Sequence, residues 1–147
     1  MTPEPTVPAP YRALVVEDEE TSRLLISRAV EKAGFTVLTA GDGEEAIRLF
    51  EKLRPDLVTT DLALPKADGR AVVRAVQRLS PATPIIVISA VESAESTSML
   101  FERPVFACLK KPVEPGDLLA ALRRAREQIA SNPRPAASTG WYDRLAR

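Results

Sequence analysis

The chain has 147 residues, 45% of them hydrophobic, and its 20 basic side chains are balanced by 20 acidic ones. That length and composition suit one globular domain with its own core, and the even charge gives no reason to expect nucleic acid or an anionic membrane as partner. With no histidine and a single cysteine, imidazole-dependent triads, zinc at the usual spacings and an internal disulfide are all excluded; no apolar run reaches membrane-spanning length and no secretory leader is visible, so a cytoplasmic setting is expected.

Residues 1–11 open on the proline-rich MTPEPTVPAP and read as a disordered lead-in. From Arg12 to about Ala130, short apolar runs alternate with helical patterns. Arg12–Val16 reads as a buried strand and Thr21–Ala33 as a helix closed by Gly34 in a left-handed cap. Phe35–Ala40 is the second strand, and Gly43–Leu53 the second helix, stopped at Arg54-Pro55. Asp56–Asp61 and Gly69–Leu79 form the third pair, and Pro84–Ser89 is the most apolar strand. Glu92–Glu102 reads as a poor helix, rich in Ser and Thr and followed by Arg103-Pro104. Val105–Leu109 is the fifth strand and Glu114–Ala130 the last helix, after which residues 131–147 form a tail that ends in Trp141, Tyr142 and Leu145. Five strand–helix units in alternation imply an α/β, doubly wound parallel sheet with helices on both faces.

In such a sheet ligands bind beyond the carboxyl ends of the strands. Strand one runs into Glu17-Asp18-Glu19-Glu20, strand three ends at Asp61, strand four at Ser89, and strand five runs into Lys110-Lys111-Pro112. Carboxylates gathered in one pocket repel unless a cation joins them, and hard oxygen donors with few protein ligands suit Mg²⁺. A metal, an acceptor carboxylate, a hydroxyl and an ammonium make a phosphoryl-transfer set. A glycine-rich phosphate loop is missing, which argues against a nucleotide substrate. Taken singly, the acidic run could be a solvated helix cap, Asp61 a turn residue before Pro65, and the lysines an exposed pair. Together, each at the proper end of its strand, they carry the functional reading.

The strings Val15-Val-Glu-Asp-Glu19, Ala40-Gly-Asp-Gly-Glu-Glu-Ala46, Asp61-Leu-Ala-Leu-Pro65 with Asp68-Gly69, Ser89-Ala90 and Lys111-Pro112 resemble, in order and spacing, the receiver domain of bacterial response regulators. The resemblance covers Arg12 to Ala130. It implies a flavodoxin-like fold, five strands in the order 2-1-3-4-5 with five helices, and a two-component signalling switch rather than a conventional enzyme. It further implies Asp61 as phosphoacceptor, with Asp18 holding Mg²⁺ directly, Glu17 through water and the backbone carbonyl of Ala63 as another ligand. Ser89 and Lys111 would contact the phosphoryl group, and Lys111-Pro112 resembles the family's cis peptide. A histidine kinase or phosphotransfer protein would be the donor. The downstream protein effector would be met through Val91–Leu109 and the last helix. With no further domain in view, a stand-alone module is expected.

Two departures stand out. The family's aromatic switch position, three residues before the lysine, holds Cys108; Phe106, two residues earlier, is expected on the same face of the strand as a substitute, with ordinary packing as the plainer reading. The fourth helix lacks strong formers and is expected to be short or reshaped. Cys108 is read as a small buried hydrophobe in preference to a redox sensor. Two rival functions remain. An aspartate-nucleophile phosphatase would favour a second Asp where Ala63 stands, and a receiver-like scaffold would work without phosphorylation. The segment Trp141–Leu145 is read as a candidate docking motif on an extended linker.

Overall fold

The computed structural model describes residues 11–90, 101 and 103–131. Its elements in chain order are β1 (Arg12–Val16), α1 (Glu20–Lys32), β2 (Thr36–Ala40), α2 (Gly43–Leu53), β3 (Leu57–Thr60), α3 (Gly69–Leu79), β4 (Ile85–Ser89), β5 (Ala107–Lys110) and α4 (Pro115–Ser131). The five strands form one parallel sheet in the order β2-β1-β3-β4-β5. The expected helix over 92–102 lies outside the described residues, apart from Phe101.

Side chains on a strand alternate between faces, and the two cores follow that alternation. Ala13 and Val15 join Ile26, Val30, Leu118 and Leu122 beneath α1 and α4. Leu14 and Val16 join Ala46, Phe50, Val72 and Val76 beneath α2 and α3. Burial on both faces explains why β4 is apolar almost throughout and why β1 and β3 are buried along nearly their whole length, Thr59 and Thr60 included. Phe50 is fully buried, and truncating such a side chain typically costs about 3–5 kcal/mol.

Local signals set the helix ends. Asp42 caps α2, accepting from Glu45 N at 2.8 Å, while Glu45 Oε1 accepts from Gly41 N at 2.9 Å, one residue before the cap, a relative of the capping box. Asp68 caps α3 by accepting from the amides of Arg70 and Ala71. Glu19 caps α1 through Ser22 N. Gly34 closes the α1 end at φ 100°, a left-handed conformation suited to glycine. Arg54 ends α2 left-handed as well, at φ 47°. Its guanidinium compensates by donating to Leu79 O at 3.2 Å and lying 5.9 Å from the centre of the Phe50 ring.

β5 corrects one expectation. Pairing with β4 begins at Ala107 against Ile86 and ends at Lys110 against Ser89, so Phe106 precedes the strand instead of lying in it. Phe106 packs with the α1/α4 core, whereas Cys108 packs with the α2/α3 core. Strict alternation would have put them on one face, but it holds only inside the paired stretch. Phe106 and Cys108 thus pack on opposite faces of the sheet, and Phe106 takes the plainer role of a packing residue.

Candidate functional site

β1 and β3 are neighbours in the sheet, yet the chain leaves β1 toward β2 on one side and continues from β3 toward β4 on the other. Such a reversal opens a crevice at the carboxyl ends of the two strands. Glu17 follows β1 and Asp61 follows β3, and both are buried, at 1% and 7% exposure. Backbone bonds fix them there: Glu17 N donates to Ala40 O at 3.0 Å and Asp61 N to Val16 O at 3.3 Å.

Lys111 completes the site from β5. Its amide donates to Ser89 O at 2.8 Å, extending the β4–β5 ladder by one step, and the Lys111–Pro112 peptide bond is cis. The ammonium donates to Asp61 Oδ2 at 2.6 Å and to Glu17 Oε1 at 2.8 Å. Asp61 Oδ1 accepts from Ala63 N at 3.1 Å. Ser89 is buried at the end of β4. Asp18 and Ala63 are exposed at the rim, and so is Lys110. The structure therefore brings Glu17, Asp61 and Lys111 into direct contact and places Ser89 at the adjoining strand end.

The electrostatics are those of a crowded anionic site. Burial pushes the Glu17 carboxyl above its ordinary value, against the downward pull of Lys111. For Lys111 burial alone would lower the pKa, but the hydrogen bonds to Asp61 and Glu17 outweigh it and hold the ammonium above its usual range. One ammonium facing two carboxylates leaves a negative charge in excess, next to the exposed Asp18.

That imbalance bears on a metal. The donors at the crevice are oxygens, and the excess charge favours a cation. Among the described residues no three acidic side chains gather into a cage. Such a set fits Mg²⁺, which keeps most of its waters and takes few protein ligands, better than a cation caged entirely by protein.

Sequence reasoning missed three features. The Glu17–Lys111 pair joins residues 94 apart in the chain. Arg23, one turn into α1, donates to Glu17 O at 2.9 Å and braces the turn after β1. Gly69 and Gly43 permit close backbone approach around the segment that follows Asp61. A β-carbon at Gly69 would stand 1.9 Å from Asp61 O, and one at Gly43 would stand 1.6 Å from Ala67 O. The available signal was glycine directly after an aspartate helix cap, twice over.

The response regulator receiver domain model matches residues 13–123. The chain belongs to that family. The protein-glutamate methylesterase/protein-glutamine glutaminase 4 of Myxococcus xanthus is 38% identical over 143 residues, covering 93% of this chain and 40% of the relative. The alkaline phosphatase synthesis transcriptional regulatory protein PhoP of Bacillus subtilis is 32% identical over 122 residues, covering 82% of this chain and 51% of the relative. The chain thus spans about half or less of the length of these curated relatives. Among solved structures, the N-terminal domain of an uncharacterized protein from Wolinella succinogenes superposes with a TM-score of 0.74 at 32% identity, covering 83% of this chain and 98% of that one. Chemotaxis response regulator CheY4 of Vibrio cholerae gives a TM-score of 0.68 at 31% identity, with 78% and 98% covered. Receiver domains are signalling proteins of two-component systems rather than conventional enzymes, and they generally bind Mg²⁺ at the acidic site. No described helix is long and apolar enough to cross a membrane.

Proposed function

We propose that this receiver domain is a switch that accepts a phosphoryl group on Asp61 and passes the signal on by protein contacts. The observation that carries the reading is the Lys111 ammonium held 2.6 Å from Asp61 Oδ2 at the switch point of the sheet. Asp61 would attack the phosphorus of a phosphohistidine on a histidine kinase or phosphotransfer protein. An Asp61 oxygen–phosphorus bond forms as the phosphorus–nitrogen bond breaks, and the imidazole leaves. Lys111 would then neutralise a phosphoryl oxygen, and Ser89 at the next strand end would donate its hydroxyl to another. Asp18, Asp61 and the Ala63 carbonyl would hold Mg²⁺, with Glu17 acting through water. When bound, the metal supplies positive charge that offsets the carboxylates and the equatorial phosphoryl oxygens.

The Glu17–Lys111 bond adds a detail to this scheme. As the phosphoryl group arrives, Lys111 must share its three donors among Glu17, Asp61 and the new oxygens, so Glu17 serves as a resting partner that keeps the ammonium in the site. A cytoplasmic location and an output surface including residues 91–109 and α4 are part of the same proposal. The test is labelling with a small acyl phosphate in the presence and absence of Mg²⁺, read by intact mass. One Mg²⁺-dependent adduct, lost in Asp61→Asn, is the expected result; an unlabelled native chain favours the scaffold reading, in which the site is never phosphorylated.

A further inference from the structure

On the face of the sheet carrying α1 and α4 lies an apolar groove with a volume of about 290 Å³. Leu25 and Ala29 of α1 form one wall, and Val113, Leu118 and Leu119, at the start of α4, form the other. Arg28 and Lys32 add two cationic groups to its lining. Leu25 is 60% exposed and its neighbour Leu24 50%, the two large hydrophobic residues most exposed among those described. The volume sits at the lower edge of what small-molecule sites use, and suits one or two side chains rather than a cofactor. Neither the phosphoryl-transfer residues nor the α2/α3 core uses this groove.

We propose that the groove is the seat of the protein's own C-terminal segment, with Trp141 and Leu145 inserted between α1 and α4. Three observations select this occupant. First, α4 itself leads into the segment. Leu118 lies thirteen residues before Ser131, roughly 20 Å back along the helix at about 1.5 Å per residue. Residues 132–140 can span at most about 30 Å at roughly 3.3 Å each, so the segment reaches the groove by doubling back antiparallel to α4. Pro133 and Pro135 favour the extended backbone this return needs. Second, the segment holds large apolar side chains, Trp141, Tyr142 and Leu145, whereas among residues 1–10 the only comparable apolar side chains are Met1 and Val7. Third, Asp143 lies between the two inserted side chains, with Arg144 beside it, and offers a carboxylate to Arg28 or Lys32 of the groove.

Docking of this kind covers Leu25 and the exposed face of α1 in the free protein. Any partner using that face must first displace the segment, and its apparent affinity is lowered accordingly. Val113 lies two residues from Lys111, so one groove wall is continuous in the chain with the phosphoryl site.

Trp141 is the chain's only tryptophan, which makes its fluorescence a direct probe of the unphosphorylated full chain. The expected result is a blue-shifted emission, shielded from a soluble quencher, that is independent of protein concentration. Leu25→Asp should move the emission to that of a free peptide covering residues 138–147 and expose it to the quencher. Because Leu25 projects mostly into solvent, circular dichroism of this variant should match the parent, and Leu119→Glu supplies an independent second disruption. A native emission equal to that of the free peptide overturns the proposal. So does a blue shift that survives both substitutions, which places Trp141 elsewhere. A shift that disappears on dilution also overturns it, assigning the groove to a second copy. None of these readings depends on phosphorylation of Asp61.

Discussion

Gly69 and Asp61 are held so close that a β-carbon on the glycine would lie 1.9 Å from the carbonyl oxygen of the aspartate. The contact is sealed by Gly69 N donating to Leu62 O at 2.9 Å. The first residue of α3 therefore sets the height of the Asp61 backbone, and Asp68, just before it, caps the same helix.

Gly69→Ala is expected to destabilise the fold by roughly 1–3 kcal/mol, the usual range for overpacking against atoms that cannot yield easily. If Asp61 takes the phosphoryl group as proposed, labelling should also slow, because relief requires moving the Asp61 carbonyl. Gly43→Ala should behave alike toward stability, through Ala67 O. Gly116 has nothing within 4 Å of a built β-carbon, and Gly116→Ala should be neutral to about 1 kcal/mol stabilising. Urea unfolding of the three variants checks the ranking; equal stabilities of Gly69→Ala and Gly116→Ala would contradict it.

Lys111→Met leaves Glu17 and Asp61 buried together with no ammonium between them. Removing one partner of a fully buried pair costs about 3–5 kcal/mol, and the 22% exposure of the Lys111 side chain reduces the expectation here to roughly 1–3 kcal/mol. Added Mg²⁺ should restore part of that loss, more than it stabilises the parent. Melting curves with and without Mg²⁺ decide the point, and a variant as stable as the parent without the metal would show that the ion pair contributes nothing net.

Asp42 caps α2 and accepts from Glu45 N, a bond that holds its carboxyl below the ordinary value of 3.8. A depressed carboxylate pKa means a contribution fully present above 3.8 and lost as pH falls through the lower, folded value. Asp42→Asn should keep the cap near neutrality while flattening this part of the acid limb, and Asp42→Ala should lose stability at neutral pH. Unfolding midpoints followed from neutral into acid check both. An Asp42→Asn variant with the parent's acid limb would place the titrating carboxylate elsewhere.

The extents of α2 and α3 were legible from their patterns. Arg54-Pro55 stops α2 and both stretches keep a helical pattern, whereas the caps Asp42 and Asp68 were seen only in the structure. The identity of the strand ends was legible too, because runs of strand-forming residues close on Glu17, Asp61, Ser89 and the Lys110-Lys111 pair. Packing at close range was not. Nothing local marks Lys111 as a partner for Glu17, since that bond depends on strands at different sheet positions converging on one crevice. Nor could alternation place Phe106, because the pairing that enforces it begins one residue later. The close backbone approaches at Gly43 and Gly69 were visible only as glycines following aspartates.

Asp61 as phosphoacceptor of an Mg²⁺-supported receiver site is open to direct test. Intact mass of the full chain after incubation with a small acyl phosphate, with Mg²⁺ or with chelator, tests it most directly when run beside Asp61→Asn. One phosphoryl adduct is expected on the native chain with Mg²⁺, little without it, and none on Asp61→Asn in either condition. An adduct of equal yield on Asp61→Asn, or one indifferent to Mg²⁺, would contradict it.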